Sequence, residues 1–143
     1  MIRATAALGV VMCASIWLAA VTSGQEPRSV WDGVYTVEQA KRGEALYAQH
    51  CGSCHGGNLL GAEAAPALTG FEFGANWNGL TLGDLFERIR TSMPADDPGK
   101  VSAQQKADIV AHMLRVGGFP AGMTDLARDT QVLSQIKYQS TKP

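Results

Sequence analysis

Two cysteines and two histidines fall within six consecutive residues of this chain, in the run HCGSCH from His50 to His55. The whole chain has 143 residues and contains only three cysteines and three histidines. A pair of thiols beside an imidazole can hold a zinc ion, exchange disulfides or attach a haem covalently. Each of these chemistries requires different features elsewhere in the chain and therefore a different fold.

The surroundings of the cysteine pair argue against zinc and against disulfide chemistry. A structural zinc ion takes four ligands, usually from two pairs, but the remaining histidines are His50, directly before Cys51, and His112, within a helical core pattern. A thioredoxin-like pair opens a helix after a strand, whereas this pair follows a predicted helix. A disulfide across so short a loop would constrain little of the unfolded chain and would leave His55 without a role.

The five residues CGSCH match the attachment sequence of c-type haem in full. Two thiols three positions apart can each form a thioether with a haem vinyl group, and the adjacent imidazole can bind the iron. The sequence therefore predicts one covalently attached haem c, with Cys51 and Cys54 as its anchors and His55 as an iron ligand. Covalent attachment suits an exported protein, because the cofactor cannot then be lost to the surroundings.

The N-terminus has the composition of a secretory leader. Arg3 is followed by an uncharged, apolar run over residues 4–21 and then by the small residues TSG, which is the three-part pattern of a signal peptide. We predict a signal peptide over residues 1–24 and a periplasmic protein. The alternative is an uncleaved membrane anchor, because 18 uncharged residues lie at the lower limit for a bilayer span.

Helical patterns dominate the remainder of the chain. Apolar residues recur at helical spacing behind capping residues in three segments: from Thr36 to the cysteine pair, from Thr81 to Pro94, and after Ser102. Residues 56–79 have no sustained period and predict an ordered, irregular loop. No repeat and no alternating strand pattern occurs. We therefore predict an all-α fold, a small domain whose helices wrap around one haem.

The length of the chain suits one small domain. We predict a lead-in segment at residues 25–35, the domain itself at residues 36–122, and a C-terminal tail at residues 123–143 that lies on the domain as a strap. The net charge is −1 and no basic run occurs, so the composition excludes a nucleic-acid-binding protein.

A second iron ligand, on the opposite face of the haem, would come from far along the chain. Met93 lies at the end of a predicted helix, 38 residues after His55, where a loop can carry its sulfur to that face. We predict Met93 as this ligand. Met123 and His112 are the alternatives, while Met113 is expected to pack in the core.

Four segments of the sequence resemble a small class I cytochrome c: RGEALYAQHCGSCHG, APALTG, MP and DIVAHMLRVGGFPAG. The resemblance covers residues 30–122 and is greatest to the cytochrome c domains that accompany quinoprotein (PQQ-dependent) alcohol dehydrogenases. It implies that Pro66 is the loop proline whose neighbouring carbonyl orients the imidazole ligand. It also implies that Trp77 either donates a hydrogen bond to a haem propionate or covers the edge of the ring.

The same resemblance implies that the first and last helices cross at Gly43 and Tyr47, where a glycine lets the two backbones approach. His112 stands at the position where the last helix of the family usually offers an aromatic residue. We therefore expect a weaker or more hydrated crossing than the family has.

These features predict an electron-transfer protein rather than an enzyme. Iron bound by a histidine and a methionine has no open position for a substrate or for oxygen. Asp96 and Asp97 share a predicted turn and are expected to be solvated rather than to form an acid–base pair.

The expected function is therefore that of a periplasmic carrier. It would pass single electrons from a dehydrogenase to a respiratory acceptor, and the resemblance suggests a quinoprotein dehydrogenase as the donor. Two alternatives are a haem sensor or enzyme with an open distal position, and a membrane-anchored haem subunit of a larger oxidoreductase.

Overall fold

A computed structural model describes residues 28–143, which form helices with almost no sheet. The helices are α1 (Val37–His50), α2 (Gly52–His55), α3 (Gly70–Trp77), α4 (Leu82–Ser92), α5 (Ala103–Val116) and α6 (Thr130–Leu133), with a 3-10 turn at Pro98–Lys100 and two short strands, β1 (Arg28–Ser29) and β2 (Ile136–Lys137). The predicted all-α class is confirmed. The predicted signal peptide lies outside the described residues, among which no helix combines the length and apolar composition of a membrane span.

The three long helices begin at the capping residues that the sequence predicts. The hydroxyl groups of Thr36, Thr81 and Ser102 each accept a hydrogen bond from the backbone N–H three residues further on. After Thr81 and Ser102, the side chain at that third position also accepts from the backbone of the capping residue, which completes a capping box. These bonds satisfy backbone donors that no helix can satisfy internally.

Helices α1 and α5 cross closely at Gly43, where an added Cβ would overlap the carbonyl oxygen of Asp108. His112 is 4% exposed, and its ring centroid lies 5.5 Å from that of Tyr47. The imidazole fills the aromatic position, so the expectation of a more hydrated crossing is wrong, while a weaker crossing stays a prediction. Arg115 donates to Nδ1 of His112 at 3.2 Å, and burial, followed by the charge of Arg115, lowers the pKa of the imidazole.

One polar side chain in α1 is fully buried. Gln39 is 0% exposed, its amide nitrogen donates to Asp108 Oδ1 at 3.1 Å and to Leu126 O at 3.0 Å, and its oxygen accepts from Leu126 N at 2.5 Å. The buried face of α1 therefore includes Gln39, while the apolar Val37 is 43% exposed. The glutamine connects α1, α5 and the tail in one hydrogen-bonded unit.

The segment predicted as an irregular loop contains one helix, so that prediction is wrong for α3. This helix has only eight residues, and its N-cap Thr69 makes no side-chain capping bond. Its start at Gly70 has a φ of 84°, in the left-handed region that glycine adopts without strain. A helix this short, without a capping signal, shows no sustained period, but it buries Phe73 against the core.

The C-terminal tail lies on the domain as a strap, as the sequence predicts. Its apolar residues Leu126, Leu133 and Ile136 are all buried. Strand β2 pairs with β1 in parallel, and the indole nitrogen of Trp31 donates to Gln139 O at 3.0 Å. Strands of two residues are too short to show an alternating pattern, so sequence analysis could not find this pairing.

Candidate haem-binding site

A cavity of about 1120 Å³ brings the predicted site residues together. The predicted residues in its lining are Cys51, Cys54, His55, Pro66, Trp77 and Met93. Apolar side chains from α3, α4 and α5 complete much of the wall: Phe73, Leu85, Ile89, Ile109 and Met113. The volume lies just above the range of ~300–1000 Å³ that is usual for small-molecule sites, so the cavity suits a large, flat, mostly apolar group.

The cysteine pair lies on one turn where α1 ends and α2 begins. The backbone N–H of Cys51 donates to Tyr47 O at 2.8 Å, and the N–H groups of Cys54 and His55 both donate to Cys51 O, at 3.1 and 3.0 Å. Both thiols are free, with Cys51 half-buried and Cys54 exposed. Burial, with a smaller contribution from the neighbouring Cys54, raises the pKa of the Cys51 thiol to about 11. The turn therefore presents two free thiols to the same cavity.

The imidazole of His55 has a fixed orientation. It is 8% exposed, and its Nδ1 lies 2.8 Å from the carbonyl oxygen of Pro66. Because a carbonyl can only accept, Nδ1 carries a proton, and in the neutral tautomer the lone pair is on Nε2. Histidines that bind metals commonly donate their second ring N–H to a carbonyl in this way. The arrangement fits an iron ligand whose donor atom is Nε2.

Tyr47 contributes to the same turn, a role that sequence analysis missed because it assigned this residue only to the helix crossing. Its hydroxyl donates to the carbonyl oxygen of Gly56 at 2.6 Å. Burial raises the pKa of Tyr47 to about 12, so the hydroxyl keeps its proton at neutral pH. Gly56 has a φ of 77°, and a Cβ there would meet the carbonyl oxygen of Gly61. The hydrogen bond from Tyr47 therefore holds the carbonyl group of Gly56, the residue that directly follows His55.

Met93 caps the C-terminal end of α4, and its backbone N–H donates to Ile89 O at 3.0 Å. Its side chain is half-buried and lines the cavity. Of the other predicted residues, Met113 is 4% exposed and also lines the cavity, in agreement with its expected packing role. Met123 is 97% exposed, and neither Met123 nor His112 belongs to the lining.

The two residues that the resemblance assigned to the surroundings of the haem both line the cavity. The carbonyl that accepts the hydrogen bond from His55 Nδ1 is that of Pro66 itself. Trp77 is half-buried, and its ring centroid lies 5.9 Å from that of Phe73. Either role predicted for Trp77 requires it in this lining.

The charged residues in the lining carry both signs: Glu72, Asp84, Arg88, Asp96 and Lys100. Asp96 and Asp97 are exposed, as predicted for a solvated turn. Asp97 also accepts a hydrogen bond from Gly99 N at 2.9 Å, which orders the 3-10 turn.

Within residues 28–143, no three side chains of His, Cys, Asp or Glu are grouped so that they could hold a metal ion. A zinc site would need such a group in the protein. A haem iron takes its equatorial nitrogens from the porphyrin, and it requires only axial ligands from the chain. The side chains in the cavity therefore fit a haem better than an ion bound by protein atoms alone.

Helices around a cavity lined by a Cys-x-x-Cys-His turn and a distant methionine are typical of c-type cytochromes. The sequence model of the family described as "Cytochrome C oxidase, cbb3-type, subunit III" matches residues 38–113. The chain belongs to this family of c-type cytochrome domains. No curated protein and no solved structure matches the chain. Membership implies a haem c cofactor and electron transfer by a single haem.

Proposed function

We propose that the protein is a periplasmic carrier of single electrons whose haem iron is bound by His55 and Met93. One observation carries this proposal: two thiols, one oriented imidazole and one thioether line the same cavity, although they come from α1, α2 and the end of α4. The leader-like composition of residues 1–24 supports export. The family match supports electron transfer rather than catalysis.

Each of these side chains has a separate task. Cys51 and Cys54 would anchor the haem covalently, and Pro66 holds His55 with its lone pair on Nε2. When bound, the haem supplies reversible one-electron chemistry. The thioether of Met93 would be the second protein ligand of the iron, and it would keep small molecules from the iron while a partner protein exchanged electrons with the cofactor.

Covalent attachment is tested on protein made with a haem-attachment system. Its mass should exceed that of the polypeptide by one haem, and its pyridine haemochrome spectrum should be that of haem c. The variant Cys54→Ser should lose one of the two thioethers, while the neighbouring Ser53→Ala should retain both. Colourless protein with the mass of the bare polypeptide would rule out the proposal.

Carbon monoxide distinguishes the carrier from a haem sensor or an enzyme with an open distal position. The reduced carrier should keep its absorption spectrum when carbon monoxide is added, because both axial positions are occupied. The variant Met93→Ala should bind carbon monoxide and change its spectrum. A rapid spectral change in the unmodified protein would favour the sensor or enzyme instead.

We further propose a dehydrogenase as the electron donor and a respiratory protein as the acceptor. A quinoprotein donor is supported by the resemblance of the segments around the CGSCH motif and the last helix. This donor is tested by mixing the oxidised protein with such a dehydrogenase. The absorption spectrum of the haem then shows whether the protein is reduced. The absence of reduction at every ratio of the two proteins would exclude it.

The family description names an oxidase subunit, and this favours a second candidate, a haem subunit fixed in a larger oxidoreductase. That candidate predicts that residues 1–24 are retained and that the protein fractionates with membranes. The carrier predicts cleavage near Gly24 and recovery in the periplasmic fraction. The mass of the protein from cells, together with its fractionation, separates the two.

A further inference from the structure

A buried lysine fastens the segment that carries Met93. Lys106, in α5, is 2% exposed. Its Nζ donates to Arg90 O at 3.0 Å and to Pro98 O at 2.8 Å. Lysines are rarely buried unless their charge is paired or hydrogen-bonded. Here both acceptors are backbone carbonyls, one on each side of Met93 in the sequence.

The first acceptor needs a donor from outside its own helix. Arg90 lies in the last turn of α4, and its carbonyl would accept from the residue four positions later if the helix continued. That residue is Pro94, which has no N–H to donate. The ammonium group of Lys106 therefore supplies the hydrogen bond that Pro94 cannot.

The second acceptor lies at the other end of the same segment. Pro98 begins the 3-10 turn, five residues after Met93. One ammonium group thus joins the end of α4 to the 3-10 turn and ties both to α5. Residues 91–97, which carry Met93, are held at both ends by this single side chain. Hydrogen bonds from a charged donor are about twice as strong as neutral ones.

This arrangement has an energetic cost that a purely packing residue would not have. Burial lowers the pKa of Lys106, and the charge of Arg90 lowers it further, while Asp97 opposes the shift. A methionine has a chain of similar length and would fill the space without desolvating a charge. At this position the lysine adds two hydrogen bonds, which flank residues 91–97, the segment that carries Met93.

We propose that Lys106 is a positioning residue for Met93, which keeps the thioether at the iron by clamping both ends of residues 91–97. The inference rests on the proposed ligation of the haem by Met93. Lys106 itself does not touch the iron, since it acts through the backbone of the segment. Its loss should increase the fraction of time for which the thioether is detached.

The test compares holoprotein carrying Lys106→Met with two matched controls. Lys41→Met removes an equal charge from an exposed position on α1. Leu133→Ala removes a fully buried side chain of α6, a helix that packs on α4, and should destabilise the fold without removing either Lys106 hydrogen bond. The readouts are the thioether-to-iron charge-transfer absorption band of the ferric protein and the rate at which cyanide, which requires a vacated axial position, binds to it.

Lys106→Met should weaken the charge-transfer band and bind cyanide about tenfold faster, the change expected when a charged hydrogen-bonding group is removed. Both controls should keep the rate of the unmodified protein. Equal cyanide rates for Lys106→Met and the unmodified protein would overturn the inference. Acceleration by Leu133→Ala to the same extent would also overturn it, because general destabilisation would then account for the effect.

Two further results keep this inference separate from the proposed function. If the unmodified ferric protein lacks the charge-transfer band, ligation by Met93 fails, and the inference fails with it. If the band is present and unchanged in Lys106→Met, only the inference fails. Should Lys106→Met not accumulate, Lys106→Leu replaces it: this variant has neither the charge nor an N–H donor, and an unchanged cyanide rate would again refute the clamp.

Discussion

The variant Tyr47→Phe tests whether the hydroxyl of Tyr47, in α1, stabilises the turn that carries the cysteine pair and His55. In Tyr47→Phe the ring and its packing stay, but the bond of 2.6 Å to the Gly56 carbonyl is lost. The carbonyl is not orphaned, because it still accepts from Leu59 N at 3.2 Å. The loss is therefore that of an ordinary hydrogen bond, about 1 kcal/mol in the free energy of unfolding. For a domain of this size, that lowers Tm by about 4 °C.

Tyr35→Phe provides the matched control. Tyr35 is 1% exposed, and its hydroxyl donates to Phe119 O at 2.7 Å. Neither Tyr35 nor Phe119 belongs to the lining of the cavity. Tyr47→Phe should lose about 1 kcal/mol of stability, and Tyr35→Phe about 1–3 kcal/mol, because Phe119 O accepts no other hydrogen bond within residues 28–143. Only Tyr47→Phe should also change the absorption spectrum of the haem, because only its acceptor follows His55 directly.

The assay is denaturant unfolding of the holoprotein, followed in parallel by circular dichroism and by haem absorption. Circular dichroism reports the free energy of unfolding of each variant, and haem absorption reports the environment of the iron. A Tyr47→Phe variant as stable as the unmodified protein, beside a destabilised Tyr35→Phe, would refute the role assigned to the Tyr47 hydroxyl.

Three further variants test the helix crossing and the buried polar groups. Gly43→Ala should cost about 1–3 kcal/mol or more by forcing α1 away from Asp108, measured by denaturant unfolding. Gln39→Ala should cost about 2–4 kcal/mol, because the N–H and C=O of Leu126 lose their buried partner, and proteolysis should then cut the tail sooner. Burial lowers the pKa of His112, so its contribution to stability is complete above about pH 6.5 and is lost as the pH falls toward the folded-state pKa. In His112→Phe, the decrease in stability below that pH should be smaller; an unchanged pH profile would show that the imidazole is not the group responsible.

The sequence was most informative where a local rule leaves few choices. Covalent attachment of a haem needs two thiols and an imidazole in a fixed order. The run of Cys51, Cys54 and His55 therefore predicts both a cofactor and a turn of the chain. Hydroxyl caps such as Thr81 and Ser102 mark helix starts because their bonds reach only three residues. Predictions of this kind depend on neighbours along the chain and do not require the tertiary structure.

Three of the features that sequence analysis missed depend on distant neighbours. Gln39 looks like a solvated residue of α1, and the partners that allow its burial lie in α5 and in the tail, 69 and 87 residues away. Lys106 looks like a surface lysine until the carbonyls of Arg90 and Pro98 are placed beside it. Helix α3 has too few residues for a period, and its burial comes from the core that it covers.

The pairing of β1 with β2 has a consequence for the order in which this chain matures. Trp31 and Gln139, which are joined by a hydrogen bond beside this pairing, are 108 residues apart, so the loop they close carries a large entropic cost and is expected to form late. If the chain is exported as proposed, it emerges N-terminus first and presents its cysteines well before the tail arrives. The two thiols would then be accessible for the proposed haem attachment during transit, and arrival of the tail would complete the core afterwards.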